Sequence, residues 1–258
     1  MRLLPFSFQP EGQYLELVGI SDLHAGSSHF LEKKALRHRA YILDDPDRKV
    51  IDLGDHCENS LRSSPGSAVF QQTMPPREQR AWIKEYYRPM RDRVLAVTAG
   101  NHEDRSERDS DISADEMLIT FLDCPWIRWE AVLSITVGDS RCGQNYTIYV
   151  RHAVSNSSKP PVILGAMFAK SRTVQGCDAY WFAHNHMYLA ESLPTLTPDP
   201  RHGKVKQKLQ HFVMGDSFMS YDESYAEQHG YPIPNPGQVA LRLYKDHREI
   251  EVKRLLYP

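Results

Sequence analysis

Short apolar runs recur along the chain, and several of them stop at a glycine or at a side chain that can bind a metal or carry a proton. Residues 14–21 (YLELVGIS) lead directly into Asp22, and residues 50–53 lead into a glycine. A third run, residues 94–98, ends just before Gly100. Runs of this length that end at turn signals are typical of buried β-strands followed by tight loops.

Helices are expected between and after these strands. Proline stands near the start of two of them, at Pro76 and Pro161, where its missing N–H is tolerated. Ser113 and Glu116 have the spacing of a capping box, which marks the start of another helix. The expected helices cover residues 31–43, 77–90, 113–122 and 161–174, and the polar segment 60–76 is expected to be a long loop.

The second half of the chain is rich in strand-length segments. Residues 131–137 and 146–150 flank a glycine-containing turn, which predicts a β-hairpin. Further strands are expected at residues 178–182, 188–193, 208–214, 238–244 and 250–255.

This order of elements predicts a fold of the α/β class. Alternating strands and helices come first, and mostly antiparallel strands follow, which favours a four-layer αββα sandwich of two mixed β-sheets flanked by helices. The chain has 258 residues and shows no internal repeat or linker, so we expect a single domain over residues 1–258.

Composition excludes several broad classes of protein. The hydrophobic fraction of 41% and the charged fraction of 25% are those of an ordinary globular protein. A net charge of -2 gives no overall attraction to nucleic acid or anionic membranes, so any nucleic-acid site would be a local basic patch. No apolar run is long enough to span a membrane, and Gln9, Glu11 and Gln13 interrupt any signal sequence. Four widely spaced cysteines favour reduced thiols in a cytoplasmic protein.

The ends of five predicted strands carry carboxylate, amide or imidazole side chains. Because packed strands bring their carboxyl ends together, we expect these side chains to lie close in space. Oxygen and imidazole ligands without a thiolate cluster suit Mn, Fe, Zn or Mg better than a closed structural zinc site. Seven such ligands suffice for two ions if one carboxylate bridges them. The carboxylate, amide and imidazole side chains at these five strand ends are Asp22, His24, Asp55, Asn101, His102, His152, His184 and His186.

The order of these motifs resembles the calcineurin-like metallophosphoesterase superfamily. The family pattern is D-x-H, G-D-x-x-E, G-N-H-E, a lone histidine and then H-x-H. Each fragment is common alone, but five in order, each after a strand, are highly specific. They extend over about two thirds of the chain and read Asp22-Leu23-His24, Gly54-Asp55-His56-Cys57-Glu58, Gly100-Asn101-His102-Glu103, His152 and His184-Asn185-His186.

The resemblance implies two divalent metal ions, with Mn as the first choice and Fe, Zn, Ni or Mg as alternatives. It implies that His102 lies beside the leaving-group oxygen, as a general acid or a phosphate contact, and that Glu103 orients His102. The implied ligands are Asp22, His24 and His186 for the first ion, Asp55 as a bridging carboxylate, and Asn101, His152 and His184 for the second ion.

The sequence departs from the family pattern at two positions. Ala153 and Ala183 stand where the family usually has glycine, and we expect the extra methyl groups to be tolerated or to narrow the pocket. The chain lacks the additional glycines and the arginine of the protein phosphatases. The short D-L-H and H-N-H motifs are closer to the diesterase and nuclease branches, which include phage-encoded members.

The predicted function is hydrolysis of phosphodiester bonds in nucleic acid or nucleotides, through attack by a hydroxide that bridges the two ions. The expected partner is a phosphoester substrate, with DNA or RNA among the candidates, and no membrane. Two alternatives stay open: a phosphomonoesterase acting on a small molecule or a phosphoprotein, and a non-catalytic scaffold on the same fold.

Three residues near the motifs have competing interpretations. Arg105 could contact the substrate phosphate together with Asn101 and His102, or pair with one of the acidic residues that surround it in the sequence. His56 is expected to face solvent rather than substrate. Cys57 is expected to be a small buried side chain rather than a reactive thiol.

Three further segments could contact substrate. The basic helix with Trp82, Tyr86 and Tyr87 could grip a single strand, although such a helix more often buries its aromatic side chains. The basic run 201–208 is expected at an exposed hairpin tip or loop and could attract phosphates. Residues 215–223 could form a specificity loop, although a polar turn is favoured.

Overall fold

Two six-stranded β-sheets form the framework of the computed structural model, which describes residues 1–64, 68–139 and 142–257. The strands are β1 (Arg2–Phe8), β2 (Tyr14–Ile20), β3 (Arg48–Asp52), β4 (Val94–Thr98), β5 (Trp126–Ile127), β6 (Glu130–Val137), β7 (Gln144–Arg151), β8 (Ala179–Phe182), β9 (Leu189–Asp199), β10 (Lys204–Met214), β11 (Gly237–Tyr244) and β12 (Ile250–Leu256). The helices are α1 (Glu32–Leu43), α2 (Ala68–Gln71), α3 (Pro76–Tyr87), α4 (Glu103–Ser110), α5 (Glu116–Leu122), α6 (Pro160–Thr173) and α7 (Tyr225–Gln228), and a 3-10 helix covers Arg88–Arg93.

Both sheets are mixed. The first sheet has the order β12-β11-β2-β3-β4-β5, in which β2 to β5 are parallel and β11 is antiparallel to both of its neighbours. The second sheet has the order β1-β6-β7-β8-β10-β9 and combines parallel pairs with the β6–β7 and β9–β10 hairpins. Residues 140 and 141, which belong to the predicted turn between β6 and β7, lie outside the described residues.

The two sheets pack face to face, and each has helices on its other face. Leu17 and Leu241 of the first sheet share one buried cluster with Leu133 and Trp181 of the second sheet. Separate buried clusters join the first sheet to α1, α3 and α5, and the second sheet to α6. The four-layer αββα sandwich expected from the order of elements is therefore confirmed.

The burial of β4 explains why the central strands could be predicted from their apolar sequence. All five of its residues are buried, since one face of the sheet meets the other sheet and the other face meets helices. A strand covered on both faces needs apolar residues at every position rather than at alternate ones.

The structure adds elements that the sequence pattern did not predict. β1 pairs in parallel with β6 at the edge of the second sheet, and of its residues only Leu4 is buried, so its apolar pattern is weak. Helix α4 (EDRSERDS) follows the Gly100 loop directly and buries only Glu103. The segment expected to be a long loop contains α2, and residues 65–67 of it lie outside the described residues.

Two boundaries differ for identifiable reasons. The helix expected to reach residue 90 ends as an α-helix at Tyr87 and continues as a 3-10 helix, because Pro89 has no N–H for an α-helical hydrogen bond. The β9–β10 hairpin extends beyond the expected strands. Its outer half is exposed, so it lacks the buried apolar run from which a strand was predicted. Within the described residues, no helix combines the length and apolarity that crossing a bilayer requires.

Candidate metal centre

Strands from both sheets end at the same place, at one end of the sandwich. Asp22, Asp55 and Asn101 follow β2, β3 and β4 of the first sheet, and His152 and His184 follow β7 and β8 of the second sheet. The predicted ligands therefore meet where the carboxyl ends of the two sheets face each other, rather than along the edge of one sheet.

The loops after these strands turn sharply, and their backbone conformation is unusual. Five of the predicted ligands have a φ angle between 49° and 78°, a region that residues other than glycine rarely adopt. Such conformations cost roughly 1–3 kcal/mol each and persist only where the surroundings enforce them. The residues are Asp22, His24, Asp55, His184 and His186.

Two glycines allow the loops after β3 and β4 to touch. A Cβ atom on Gly54 would lie 2.8 Å from the Cα atom of Gly100, and a Cβ atom on Gly100 would lie 2.2 Å from the carboxylate of Asp55. Larger side chains at either position would push Asp55 out of place.

The first group of potential ligands consists of Asp22, His24 and His186. Their ligand atoms lie within 4.8 Å of one another. The Nε2 atoms of His24 and His186 are 2.9 Å apart, and Oδ1 of Asp22 is 3.5 Å from Nε2 of His186. The main-chain N–H of His184 donates to the Asp22 carboxylate and fixes its orientation. Two imidazoles and a carboxylate that converge in this way suit a divalent transition metal.

The second group consists of Asp55, His152 and His184, whose ligand atoms also lie within 4.8 Å of one another. Oδ1 of Asn101 is 3.1 Å from Nε2 of His152. Nδ1 of His152 donates to the carbonyl oxygen of Leu53 over 2.6 Å, which leaves Nε2 free to face the centre. Such a bond to the far ring nitrogen is the usual way in which proteins orient a histidine ligand.

Asp55 lies between the two groups. Its Oδ2 atom is 3.1 Å from Nε2 of His152 in the second group and 3.9 Å from Nε2 of His24 in the first. Its other oxygen accepts a 3.0 Å hydrogen bond from the main-chain N–H of His102. This position fits the bridging carboxylate implied by the family resemblance, and the donor atoms as a whole fit a pair of divalent ions.

Electrostatics keep Asp55 ionised. Burial alone would raise the pKa of its carboxyl, but His152, and then His102 and His24, outweigh burial and hold this pKa well below its ordinary value. Burial lowers the pKa of His152, yet the charge of Asp55 raises it to about 10. An imidazole must lose its proton to bind a metal, so ions at this centre would replace the proton in neutralising Asp55.

His102 lies beside the two groups and is held by residues of neighbouring loops. Its Nδ1 atom is 2.7 Å from the carbonyl oxygen of Glu58, and its Nε2 atom is 2.8 Å from Nη2 of Arg105. Because an arginine only donates, Nε2 accepts and Nδ1 carries the proton. Burial lowers the pKa of His102 to about 4, so the ring is neutral near pH 7 in the absence of substrate.

Arg105 is paired, but with a partner that the sequence did not suggest. Its Nη1 atom donates to the carbonyl oxygen of Glu58 over 2.9 Å and to the hydroxyl of Ser60 over 3.1 Å, and it lies 3.4 Å from a carboxylate oxygen of Glu58. The acidic residues beside Arg105 in the sequence do not supply these contacts. A second guanidinium nitrogen, Nη2, donates to His102, so the two side chains form one unit.

The structure corrects the role expected for Glu103. Instead of orienting the His102 ring, its two carboxylate oxygens accept hydrogen bonds of 3.0 Å each from the main-chain N–H groups of Asp55 and Cys57. Glu103 is the first residue of α4, and this position aims its side chain at the loop after β3. Burial raises the pKa of its carboxyl to about 8, although the charge of His56 opposes the rise.

The prediction that His56 faces solvent is wrong. The ring is buried, with Nε2 2.6 Å from a carboxylate oxygen of Asp115 and Nδ1 3.4 Å from one of Asp52. Burial lowers the pKa of His56, but Glu103, Asp52 and Asp115 raise it well above its ordinary value. A protonated His56 therefore belongs to the same loop as Asp55 and is paired with buried carboxylates. The available signal was Asp52, a carboxylate within the apolar run 50–53.

The neighbours of His56 include one confirmed prediction and one residue whose role was missed. Cys57 is buried, as expected, and burial raises the pKa of its thiol. Glu58, the acidic residue of the G-D-x-x-E motif, was given no role from the sequence. Its Oε2 atom is 3.4 Å from Nδ1 of His24, and its main chain holds His102 and Arg105.

A cleft of about 360 Å³ opens above the centre. Asp55, Glu58, His102, His184 and His186 line one end of it. Ala153 and Ala183, which stand where the family usually has glycine, do not narrow the cleft. Ala183 belongs to the core between the sheets, and Ala153 is not among the residues that line the cleft.

The two basic segments, helix α3 and the run 201–208, differ in the exposure of their side chains. In α3, Tyr86 and Tyr87 are buried and the indole of Trp82 donates to Glu32, so the aromatic side chains of this helix serve the core. The basic run 201–208 forms the tip and outer part of the β9–β10 hairpin, and residues 201–207 of it are exposed, as expected.

No family model and no curated protein matches the chain. Among solved structures, it superposes on the calcineurin-like phosphoesterase YfkN from Bacillus subtilis with a TM-score of 0.46 and 14% identity, over 94% of this chain and 90% of that one. A conserved uncharacterized protein from Streptococcus pneumoniae TIGR4, a predicted phosphoesterase, gives a TM-score of 0.41 and 12% identity, with 95% and 94% covered. A metallophosphoesterase from Sphaerobacter thermophilus gives 0.37 and 13%, with 94% and 89% covered. At these low scores, function has to be inferred from the side chains of the site.

Proposed function

We propose that the protein is a dinuclear metal-dependent phosphoesterase that hydrolyses phosphodiester bonds. The observation that carries this proposal is the position of Asp55, whose Oδ2 atom lies between His24 of one ligand group and His152 of the other. His186 of the first group and Asp55 and His184 of the second line a cleft, so a substrate entering from solvent would meet both groups.

The two ligand groups would each hold one ion, with Asp55 shared. Two divalent ions in such a site would lower the pKa of a water molecule and offset negative charge on a phosphoryl group. Mn is the first choice among the metals, since carboxylate and amide oxygens suit it, and the imidazoles also suit the alternatives Fe, Zn and Ni.

His102 and Arg105 would contact the phosphoryl group or the leaving oxygen. Arg105 is fixed by Glu58 and Ser60 and donates to His102, so its guanidinium and the His102 ring are preorganised as one unit. The negative charge of a bound phosphoester favours a second proton on His102, because an adjacent anion raises the pKa of an imidazole. A His102 ring protonated in this way could then donate to the leaving oxygen.

Two features favour a diester over a monoester. The D-L-H and H-N-H motifs resemble those of the diesterase branches. In addition, the carboxylate of Glu58 lines the cleft beside His24, and it repels a dianionic monoester more strongly than a monoanionic diester.

The test compares bis(4-nitrophenyl) phosphate, 4-nitrophenyl phosphate and single-stranded DNA as substrates of the Mn-loaded protein. We expect hydrolysis of the diester to exceed that of the monoester, and Asp55→Asn to abolish both activity and stoichiometric metal binding. Asp92→Asn, on an exposed residue, is the matched control. Cleavage of the monoester alone would overturn the diester assignment, and an inert protein with both metals bound would overturn the phosphoesterase assignment.

A further inference from the structure

Aromatic and apolar side chains also line the cleft. Tyr225 and Tyr231 line the same cavity as Asp55 and His186, and so do Pro232 and other residues of the segment 217–234. The cleft thus joins a highly charged end, suited to a phosphoryl group, to an end suited to a planar ring.

The two tyrosines are exposed although they are large. Tyr225 is 64% exposed and Tyr231 is 37% exposed. Exposed aromatic side chains that line a cavity are typical of a binding site, because their burial is postponed until a ligand arrives.

Local contacts hold the Tyr225 ring in position. Its centroid is 3.9 Å from that of His229, with an angle of 30° between the two planes, so His229 supports one face of the ring. Tyr231 meets Tyr225 edge on, at 5.8 Å and 73°. Ser224 caps the short helix α7, which begins at Tyr225, by accepting from the N–H of Glu227. One face of Tyr225 is therefore supported while most of the ring stays open to a partner.

Two polar atoms along the cleft lack partners within the described residues. The hydroxyl of Ser217 is fully buried and has no hydrogen bond. Asn185 donates from Nδ2 to the carbonyl oxygens of Ser155 and Ser157, which turns its unpartnered Oδ1 the other way. Buried polar atoms are seldom left unpaired, so each is available to a hydrogen-bonding group of a ligand or to water.

We infer that Tyr225 and Tyr231 bind the base of a nucleotide whose phosphate lies over the two ligand groups. A base has a flat face that stacks on tyrosine, and a nucleoside also carries N–H and O–H donors that Asn185 and Ser217 can accept. The cleft volume of about 360 Å³ is within the range of small-ligand pockets. The substrate class is thus a nucleoside phosphodiester or the terminal nucleotide of a strand. This inference rests on the proposed phosphoesterase function for its phosphate end.

The kinetic test uses two diesters with the same charge and leaving group: thymidine 5′-(4-nitrophenyl phosphate) and methyl 4-nitrophenyl phosphate. We expect wild-type kcat/KM to favour the nucleoside ester, and Tyr225→Ala to reduce this preference roughly tenfold through KM. Tyr225→Phe should retain it, because the ring remains. Trp129→Ala, which removes an aromatic side chain that is 61% exposed and outside the cleft, is the control.

An equilibrium test separates this inference from the proposed function. Calorimetry would compare the binding of thymidine 5′-monophosphate and of 2-deoxyribose 5-phosphate to wild type and to Tyr225→Ala and Tyr225→Leu. We expect the nucleotide alone to lose affinity in both variants. If Tyr225→Leu binds thymidine 5′-monophosphate as tightly as wild type does, any apolar side chain at position 225 is sufficient, and stacking of the base on Tyr225 is overturned. If the nucleotide binds through Tyr225 but neither diester is hydrolysed, the phosphoesterase proposal fails and the base-binding site stands.

Discussion

The carboxylate of Glu103 accepts a 3.0 Å hydrogen bond from the main-chain N–H of Asp55, the residue placed between the two ligand groups. Its other oxygen accepts an equal bond from Cys57. One buried side chain on α4 thus holds the backbone of the loop after β3 on both sides of His56. We infer that Glu103 sets the position of Asp55 and acts through it.

Replacing Glu103 should therefore weaken metal binding without removing a ligand. In Glu103→Gln, one of the two oxygen acceptors becomes an amide donor that faces an N–H group, so the loop loses a bond and gains a repulsion. We expect Mn affinity, measured by calorimetry, to fall roughly 10- to 100-fold, the usual range for residues behind a metal ligand.

The control for this change lies one turn along the same helix. Glu107→Gln removes a carboxylate that pairs with Arg128 near the surface and should leave Mn affinity unchanged. Equal affinities for Glu103→Gln and wild type would show that the Asp55 loop holds its shape without this carboxylate.

His102 should matter for turnover and not for metal loading. His102→Ala removes the ring that bonds to Arg105 and Glu58 but leaves Asp55 and both ligand groups in place. We expect two bound metals per chain by elemental analysis and a fall in kcat of roughly 10²- to 10⁴-fold, with the larger loss for poor leaving groups. Loss of metal from this variant would show that His102 is itself a ligand, and unchanged kcat on every ester would contradict its contact with the leaving oxygen.

The sequence predicted where a residue lies when its location depends only on following a strand directly. Asp22, Asp55 and Asn101 each follow a buried strand, and a side chain in that place must lie at the carboxyl end of its sheet. The same reasoning predicted the layers of the fold, because apolar runs without alternation require cover on both faces.

Contacts between distant segments were beyond that reasoning. The burial of His56 depends on Asp115, 59 positions later, and on the way α5 packs against the first sheet. Glu103 bonds to main-chain atoms, which carry no signal of their own in a sequence. The aromatic end of the cleft depends on a segment that brings Tyr225 and Tyr231 to the same cavity as His186, and the spacing of these residues follows no regular period.

The exposed basic run gives a prediction that depends on distance. β10 has 11 residues between Lys204 and Met214, and at about 3.3 Å per residue its tip lies roughly 35 Å from the end that leads into the cleft. Lys206 and Lys208 also pair with Asp199 and Asp178. We expect Arg201→Ala with Lys204→Ala to leave cleavage of a dinucleotide unchanged and to reduce only the salt dependence of binding to long single strands. A loss of dinucleotide cleavage would place the hairpin tip at the active site and contradict this geometry.

His38 gives the fold a sensitivity to acid that is separate from the metal centre. The buried ring donates from Nε2 to the carbonyl oxygen of Gly19 over 2.9 Å and accepts from the hydroxyl of Tyr257 at Nδ1, so it is neutral in the folded chain. Burial lowers the pKa of His38 from 6.5 to about 3. Below pH 6.5 the unfolded chain binds a proton at His38 that the folded chain does not bind. The contribution of His38 to stability is therefore complete above that pH and falls as the pH drops toward 3.

Urea unfolding of the metal-free protein should show that His38 lowers the free energy of unfolding by about 2 kcal/mol between pH 7 and pH 5. His38→Gln, which keeps a donor for Gly19 but does not titrate, should lose that part of the pH dependence. Identical slopes for the variant and wild type would mean that His38 is protonated in the folded state, against the hydrogen bonds that surround it.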